Sequence, residues 1–374
     1  MTSPKTFDKD KLILGAAGPV LALVSAFLLT AVVLLATGVN PIEPIRLMVE
    51  NAGYEDVQVL ILNQTGTYYL AALAVAIGFR MNLFNIGVDG QYRLAAMLSA
   101  VVGAAVTLPG PLHILLIVIV AMCVGAFWAG IAGILKAKRG VSEVVSTIML
   151  NAIATSLIAW LLLPDNFGVQ IEGSNDLTTG EIAESGWFPG VSMGDSGEIY
   201  GFTFVAFALG VVYWFVLNRT RFGFDLRATG ASESAAQASG VDAKKMILTS
   251  MLISGAVAGL AGMPTLLGDT HTYSLSFPAG VGFTGITIAL LGRNHPVGIF
   301  FAALLIAFLD KASASLDQYG YAKEIATIMK GLIVIAVVVS YELVRRYGIR
   351  RQQQKVGEEL AAGHAMKTEK EAAA

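Results

Sequence analysis

Cysteine is almost missing from these 374 residues: there is one, Cys123. A single thiol excludes an intramolecular disulfide and a cysteine metal cluster. Histidine is scarce too, and His113, His271, His295 and His364 are too scattered for the spacing of a zinc site. No Gly-x-x-x-x-Gly-Lys-(Ser/Thr) stretch occurs, so the chain has no phosphate loop of that kind to hold ATP. His-Glu-x-x-His and Gly-x-Ser-x-Gly are also absent, and no metal ligands are expected. Charged residues make up 14% of the chain against about 25% in soluble domains, while hydrophobic residues reach 55%. That balance excludes a soluble globular chain, and no nucleic-acid partner is expected. It indicates an all-α polytopic membrane protein.

One membrane crossing needs roughly 20 apolar residues of helix. On that criterion ten spans are expected, at 12–37, 59–79, 88–108, 112–135, 144–163, 201–217, 246–267, 277–292, 296–316 and 325–343. The first run is longer than the about 7–15 apolar residues of a signal peptide, so no cleaved leader is expected. Cytoplasmic loops carry the excess of Lys and Arg. Placing both termini inside puts there Lys5, Lys9 and Lys11, then Arg80 and Arg93, then Lys136, Lys138 and Arg139. The basic residues from Arg219 to Lys245, Arg293 and the basic C-terminal tail follow on the same side. Segment 164–200, acidic and without Lys or Arg, falls outside. The expected organisation is a membrane domain over 1–345, with a cytoplasmic loop at 218–245 and an outer acidic loop at 164–200. A polar tail at 346–374 has little to bury.

The stretch from Gly78 to Met97 stands out. An apolar run ends at Arg80, and a glycine-broken polar patch then holds Asn82, Asn85, Gly87, Asp89, Gly90, Gln91 and Arg93. Such a break is tolerated in hydrocarbon only where protein or a water-filled cavity surrounds it. A second patch, Phe277-Pro278-Ala279-Gly280-Val281-Gly282, occupies the matching place after a run of opposite direction. Broken segments in inverted repeats point to a transport path at the repeat interface. Asn85, Gln91 and Asn151 are therefore expected to line the path, with Phe84 and Phe277 as its aromatic walls. The amides and hydroxyls of the spans can equally serve as glue between helices, worth about 1 kcal/mol each. Asp89 and Glu143 are expected to pair with Arg93 or Arg139; Asp310 can neutralise Lys330 if their helices pack antiparallel, or Asp310, Lys311 and Lys330 can be solvated near the outer surface.

Within 218–245, Ser232 can cap a short helix, Glu233 favours its first turn, the alanines favour its body, and Gly240 ends it. The aromatic cluster Trp187-Phe188-Pro189 among acids suggests an outer docking surface for a basic partner.

Phe84-Asn85-Ile86-Gly87-Val88-Asp89-Gly90-Gln91 resembles the FNIG-(acid)-GQ signature of nucleoside and simple-sugar permeases of bacterial ABC importers. Those permeases form one superfamily with ribose-type and branched-chain amino-acid permeases. Ala235-Ala236, three residues, then Gly240 resembles the motif by which such permeases receive their ATPase, although Ser234 stands where that motif has glutamate. Arg227-Ala228-Thr229-Gly230, Ser254 to Gly262 and Glu143 to Asn151 resemble further family segments. The resemblance implies a non-enzymatic subunit of the bacterial plasma membrane that imports nucleosides or related sugars. It implies coupling residues at Arg227, Gly230, Ala235, Ala236 and Gly240. It also implies ATP and Mg held by separate cytoplasmic ATPase subunits, a second permease chain (like or unlike), and an extracellular substrate-binding lipoprotein. An ion-coupled secondary transporter of a small polar solute, using Asp89, Glu143 or Asp310, is the alternative.

Overall fold

The computed structural model describes residues 40–170 and 176–321 continuously, with Gly173 and scattered positions in 21–38 and 324–357. The chain divides into two compact units, one of residues 1–47 with 316–374, the other of residues 48–315. In the first unit the described residues include the apolar helix Phe27–Ala36, and the hydroxyls of Ser25 and Ser340 lie 2.9 Å apart. Half of expected span 12–37, a few positions of 325–343 and most of the tail 346–374 lie outside the described residues.

The second unit is built on α1 (Glu55–Phe79), which is buried along most of its length. Its inner half is a run of small apolar residues, Ala71, Ala72, Ala74 and Ala76, all fully buried. A helix apolar on every side belongs at the centre of a bundle. Around it lie α2 (Val88–Ala105), α3 (Gly110–Arg139), α4 (Glu143–Leu161), α5 (Gly201–Arg219) and α8 (Ala243–Leu260). Two short helices, α6 (Arg221–Ala231) and α7 (Glu233–Ala238), join α5 to α8, and α9 (Val281–Leu291) and α10 (Pro296–Ala312) complete the unit.

Among the described residues six helices are long and apolar enough to cross a membrane: α1, α3, α4, α5, Ala243–Thr270 and Pro296–Tyr319. Expected spans 88–108 and 277–292 are shorter than a full crossing. α2 has 18 residues and α9 only 11, because each begins at a polar break rather than at a membrane surface.

The tightest packing joins α3 and α8. A Cβ on Gly255 would lie 2.3 Å from the Gly125 carbonyl oxygen, and one on Gly259 would lie 2.1 Å from that of Ala121. Small residues spaced by four let helix backbones touch where lipid supplies no hydrophobic drive. α3 ends on Gly140 in the left-handed conformation (φ 68°), with Lys136, Lys138 and Arg139 in its last turn to complement the helix dipole.

Segment 164–200 corrects the all-α expectation in detail. It holds two antiparallel two-residue ladders, β1 (Val169–Gln170) with β2 (Leu177–Thr178), and β3 (Val191–Ser192) with β4 (Glu198–Ile199). It is tied down rather than loose: Thr179 N–H donates to the Tyr273 carbonyl (2.9 Å), Ile182 N–H to that of His271 (2.9 Å) and Phe188 N–H to that of Leu267 (3.0 Å). Asn63 of α1 donates to the Glu198 carbonyl (2.8 Å) and accepts from Tyr200 N–H (2.9 Å), an amide used as glue.

Candidate functional site

The two polar breaks meet. The Asp89 carboxylate accepts the Gly282 N–H (3.2 Å), so the first turn of α2 satisfies a free donor at the start of α9. A Cβ on Gly282 would sit 2.3 Å from Asp89 N, which requires glycine there. The sequence-level pairing of residues 84–90 with 277–282 thus corresponds to a physical contact.

Beside it the amides form a staple. Asn85 Nδ2 donates to Gln91 Oε1 (3.0 Å) and to Ser254 Oγ (2.9 Å), and Gln91 Nε2 returns a bond to Asn85 Oδ1 (2.9 Å). Ser254 in turn donates to the Ala74 carbonyl on α1 (2.7 Å). Asn151 of α4 donates to the Ile86 carbonyl (2.9 Å) and accepts from Gly90 N–H (2.9 Å), pairing backbone groups that the break leaves open. Asn85 and Gln91 are fully buried, whereas Asn151 is half-buried and Phe84 is 43% exposed. Phe277 is buried against Tyr273 and Tyr92, with ring centroids 4.9 Å and 6.1 Å away. Of the five expected path residues, Phe84 and Asn151 reach a surface; Asn85, Gln91 and Phe277 hold the two breaks in shape.

Glu143 takes a partner other than the arginine expected for it. Glu143 pairs with Lys136 (2.9 Å), one helical turn before the Arg139 that was expected. Asp310 accepts from the Tyr68 hydroxyl. Arg93, expected at the inner surface, lies 8% exposed on the second turn of α2 beside Thr155 (3.5 Å).

The expected short helix is present as α7. Ser232 Oγ accepts from Ala235 N–H (3.3 Å), and Gly240 follows at φ 85°. Segment 218–245 is nevertheless not a single loop, because α6 precedes the docking helix and is started by Thr220 Oγ1, which accepts from Gly223 N–H (3.1 Å). A threonine before Arg221 is a start signal that could have been read. Gly230 is seated on the foot of α1, where a Cβ would lie 2.3 Å from the Arg80 carbonyl oxygen. Arg80 also donates to the Asn294 carbonyl (2.7 Å), joining α1 to the turn between α9 and α10. Ala235 and Gly240 are exposed, while Ala236 is buried within the chain. Arg227 donates to the Leu217 carbonyl rather than extending to a partner.

On the outer segment Trp187 turns inward and stacks on His271 at 3.9 Å, and Phe188 packs on Phe202. These half-buried rings fasten the segment to the bundle, while Pro189, Glu181 and Glu184 are exposed. Asn85, Gln91 and Ser254 do not line the three clefts described next. One of about 600 Å³ is lined by Tyr69, Phe207, Trp214, Phe300 and neighbours. A smaller one of about 100 Å³ lies between α1, α5 and α8. A shallow recess of about 440 Å³ on α4 is lined by Ala152, Ile153, Ser156, Leu157 and Trp160.

A family model described as "Branched-chain amino acid transport system / permease component" matches residues 58–338. The guanosine ABC transporter permease protein NupP of Bacillus subtilis is 38% identical over 293 residues, 75% of this chain and 81% of that protein. The nucleoside ABC transporter permease protein NupB of Lactococcus lactis is 32% identical over 344 residues, covering 86% and 90%. The glucose ABC transporter permease protein TsgB13 of Haloferax volcanii is 31% identical over 343 residues, covering 88% and 89%.

Proposed function

We propose, because this chain belongs to the branched-chain amino acid transport system permease family, that it carries nucleosides inward through an ATP-driven transporter. It is a multi-pass protein of the plasma membrane and a transport component, not an enzyme. Guanosine and nucleoside permeases head its relatives, and that supports nucleosides over the glucose of the third. The membrane domain comprises 1–345 with ten helical segments, both termini inside and an inverted repeat, followed by the polar tail 346–374. A second permease chain completes the path, a binding protein delivers solute to the outer acidic segment, and cytoplasmic ATPase subunits hold ATP and Mg.

One observation carries the coupling: Gly230 of α6 is in backbone contact with the foot of the buried central helix. A displacement of α6 and α7 is delivered there, next to the break and its staple. A shift requires a partner that contacts the two conformations differently, and Ala235 and Gly240 are the exposed groups that such a partner can touch. Ala236 and Arg227 support the docking helix from within, and Phe84, Asn85, Gln91, Asn151 and Phe277 build the path and its walls. The alternative of ion coupling through Asp89, Glu143 or Asp310 is less well supported, since each carboxylate already has a hydrogen-bond or ion-pair partner.

Competition for labelled guanosine uptake tests the substrate class. Unlabelled nucleosides should suppress uptake while glucose and ribose do not. Suppression by the sugars, or no guanosine uptake at all, would overturn the nucleoside reading.

A further inference from the structure

Nothing in the amide staple explains Arg93. Its depth follows from two independent pairings. Gly103 of α2 meets Ile117 of α3 across a short turn, so the helices run antiparallel and Arg93 is level with a residue about 12 before Arg139. Thr155, its neighbour, is about 12 residues into α4. Both routes put the guanidinium about 18 Å from the inner helix ends, near the middle of a hydrocarbon core about 30 Å thick. An ionised group at that depth is costly and is retained for a use.

A structural arginine at such a depth would bond a carboxylate directly, and this one feels the Asp89 charge without a direct ion pair. Among the described residues no ion pair within 4.0 Å joins it to an acid; the nearby Asp89 is bonded to Gly282 N–H instead. Arg93 Nε has no partner, its Nη1 makes the 3.5 Å contact to Thr155, and the guanidinium lies beside the Tyr273 hydroxyl and within the field of Asp89. Two further buried polar atoms without partners lie in the same cluster, the hydroxyls of Tyr92 and Tyr273, which share Phe277 as a ring neighbour. Thr155 and Ser156 are exposed on α4, at the edge of its shallow recess. Donors therefore gather at mid-depth behind a face that carries hydroxyls.

Resting on the nucleoside reading above, we propose that Arg93 is a solute-recognising residue of the path. It donates to the paired acceptors of a 6-oxopurine nucleoside, the carbonyl oxygen and adjacent N7 of the base. A planar guanidinium matches that edge in a bidentate manner, whereas a 6-aminopurine presents a donor where the oxygen would be. The rings of Tyr92, Tyr273 and Phe277 flank the base, and the two tyrosine hydroxyls supply polar groups that a flat solute can engage.

The test is uptake of guanosine and of adenosine by wild type, Arg93→Gln, Arg93→Lys and Tyr273→Phe, each with the same ATPase and binding protein. Only the permease differs between variants, so a change in the guanosine-to-adenosine ratio is a property of this chain. Both Arg93 variants should lower that ratio about tenfold, and Tyr273→Phe should lower it about threefold at unchanged abundance. Equal loss of both nucleosides at normal abundance would make Arg93 merely structural and overturn the proposal. An unchanged ratio would also overturn it, while leaving the permease reading standing. If the Arg93 variants do not accumulate, Tyr273→Phe decides, and an unaltered ratio there rejects the site. A wild type that moves neither nucleoside would instead remove the nucleoside reading on which the proposal rests.

Discussion

Gly230→Ala is the sharpest perturbation of the coupling contact. The added Cβ would lie 2.3 Å from the Arg80 carbonyl oxygen, 2.8 Å from Met81 Cα and 3.1 Å from the Arg80 carbonyl carbon. Ordinary contact begins at 3.4 Å, so α6 must move off α1 by about 1 Å. All three atoms are backbone, and none can rotate out of the way. Overpacking of this kind costs about 1–3 kcal/mol, which corresponds to a shift of about 5–150-fold between two conformations. Gly240 is a useful contrast. Its Cβ would meet nothing within 4 Å, and only the left-handed backbone at φ 85° penalises Gly240→Ala. ATP hydrolysis by the assembled complex, with and without loaded binding protein, is the assay, with membrane abundance measured in parallel. Gly230→Ala should keep basal hydrolysis and lose at least about fivefold of the stimulation, and Gly240→Ala should lose less. Full stimulation of Gly230→Ala at normal abundance would refute the argument that the contact transmits the stroke.

Asn85→Ala leaves Gln91 Nε2 and Ser254 Oγ without their buried amide partner, and each loss costs about 1–3 kcal/mol. A thermal-unfolding midpoint in detergent equal to that of wild type would show that the staple is not structural. A photo-crosslinker at exposed Ala235 should label a nucleotide-binding subunit, and one at exposed Val211 on α5 should label lipid; the same pattern from both would dismiss α7 as the docking helix. Burial holds the His271 imidazole below its ordinary value, against the opposing pull of Asp269, Glu181 and Glu198. The fold thus favours the neutral ring, so this contribution is complete above about pH 6.5 and is lost as pH falls below it. The unfolding midpoint should drop more in wild type than in His271→Gln on acidification from about pH 7.5 to about pH 5.5, and equal drops would count against the Trp187–His271 contact.

What could be read from the sequence was what depends on local chemistry. Ser232 and Gly240 mark the docking helix because a cap and a left-handed stop are local devices. Gly255 and Gly259 mark the close crossing because only small side chains let backbones touch. Hydropathy also located the six long spans, to within a few residues. Depth and facing were not legible. An arginine next to an apolar run reads as an interface residue, whereas Arg93 is buried within the bundle on the second turn of α2. An amide reads alike whether it faces solute or another amide, and Asn85 and Gln91 face each other. Trp187 reads as an exposed docking ring because the His271 that covers it is far away in the chain.

Uptake of labelled guanosine by cells carrying this chain, compared with a deletion strain, tests the central claim most directly when energy sources are separated. The account predicts uptake that needs this chain, persists when ionophores collapse proton and sodium gradients, and stops when ATP is depleted. Uptake that stops with the ion gradients while ATP remains high would contradict it.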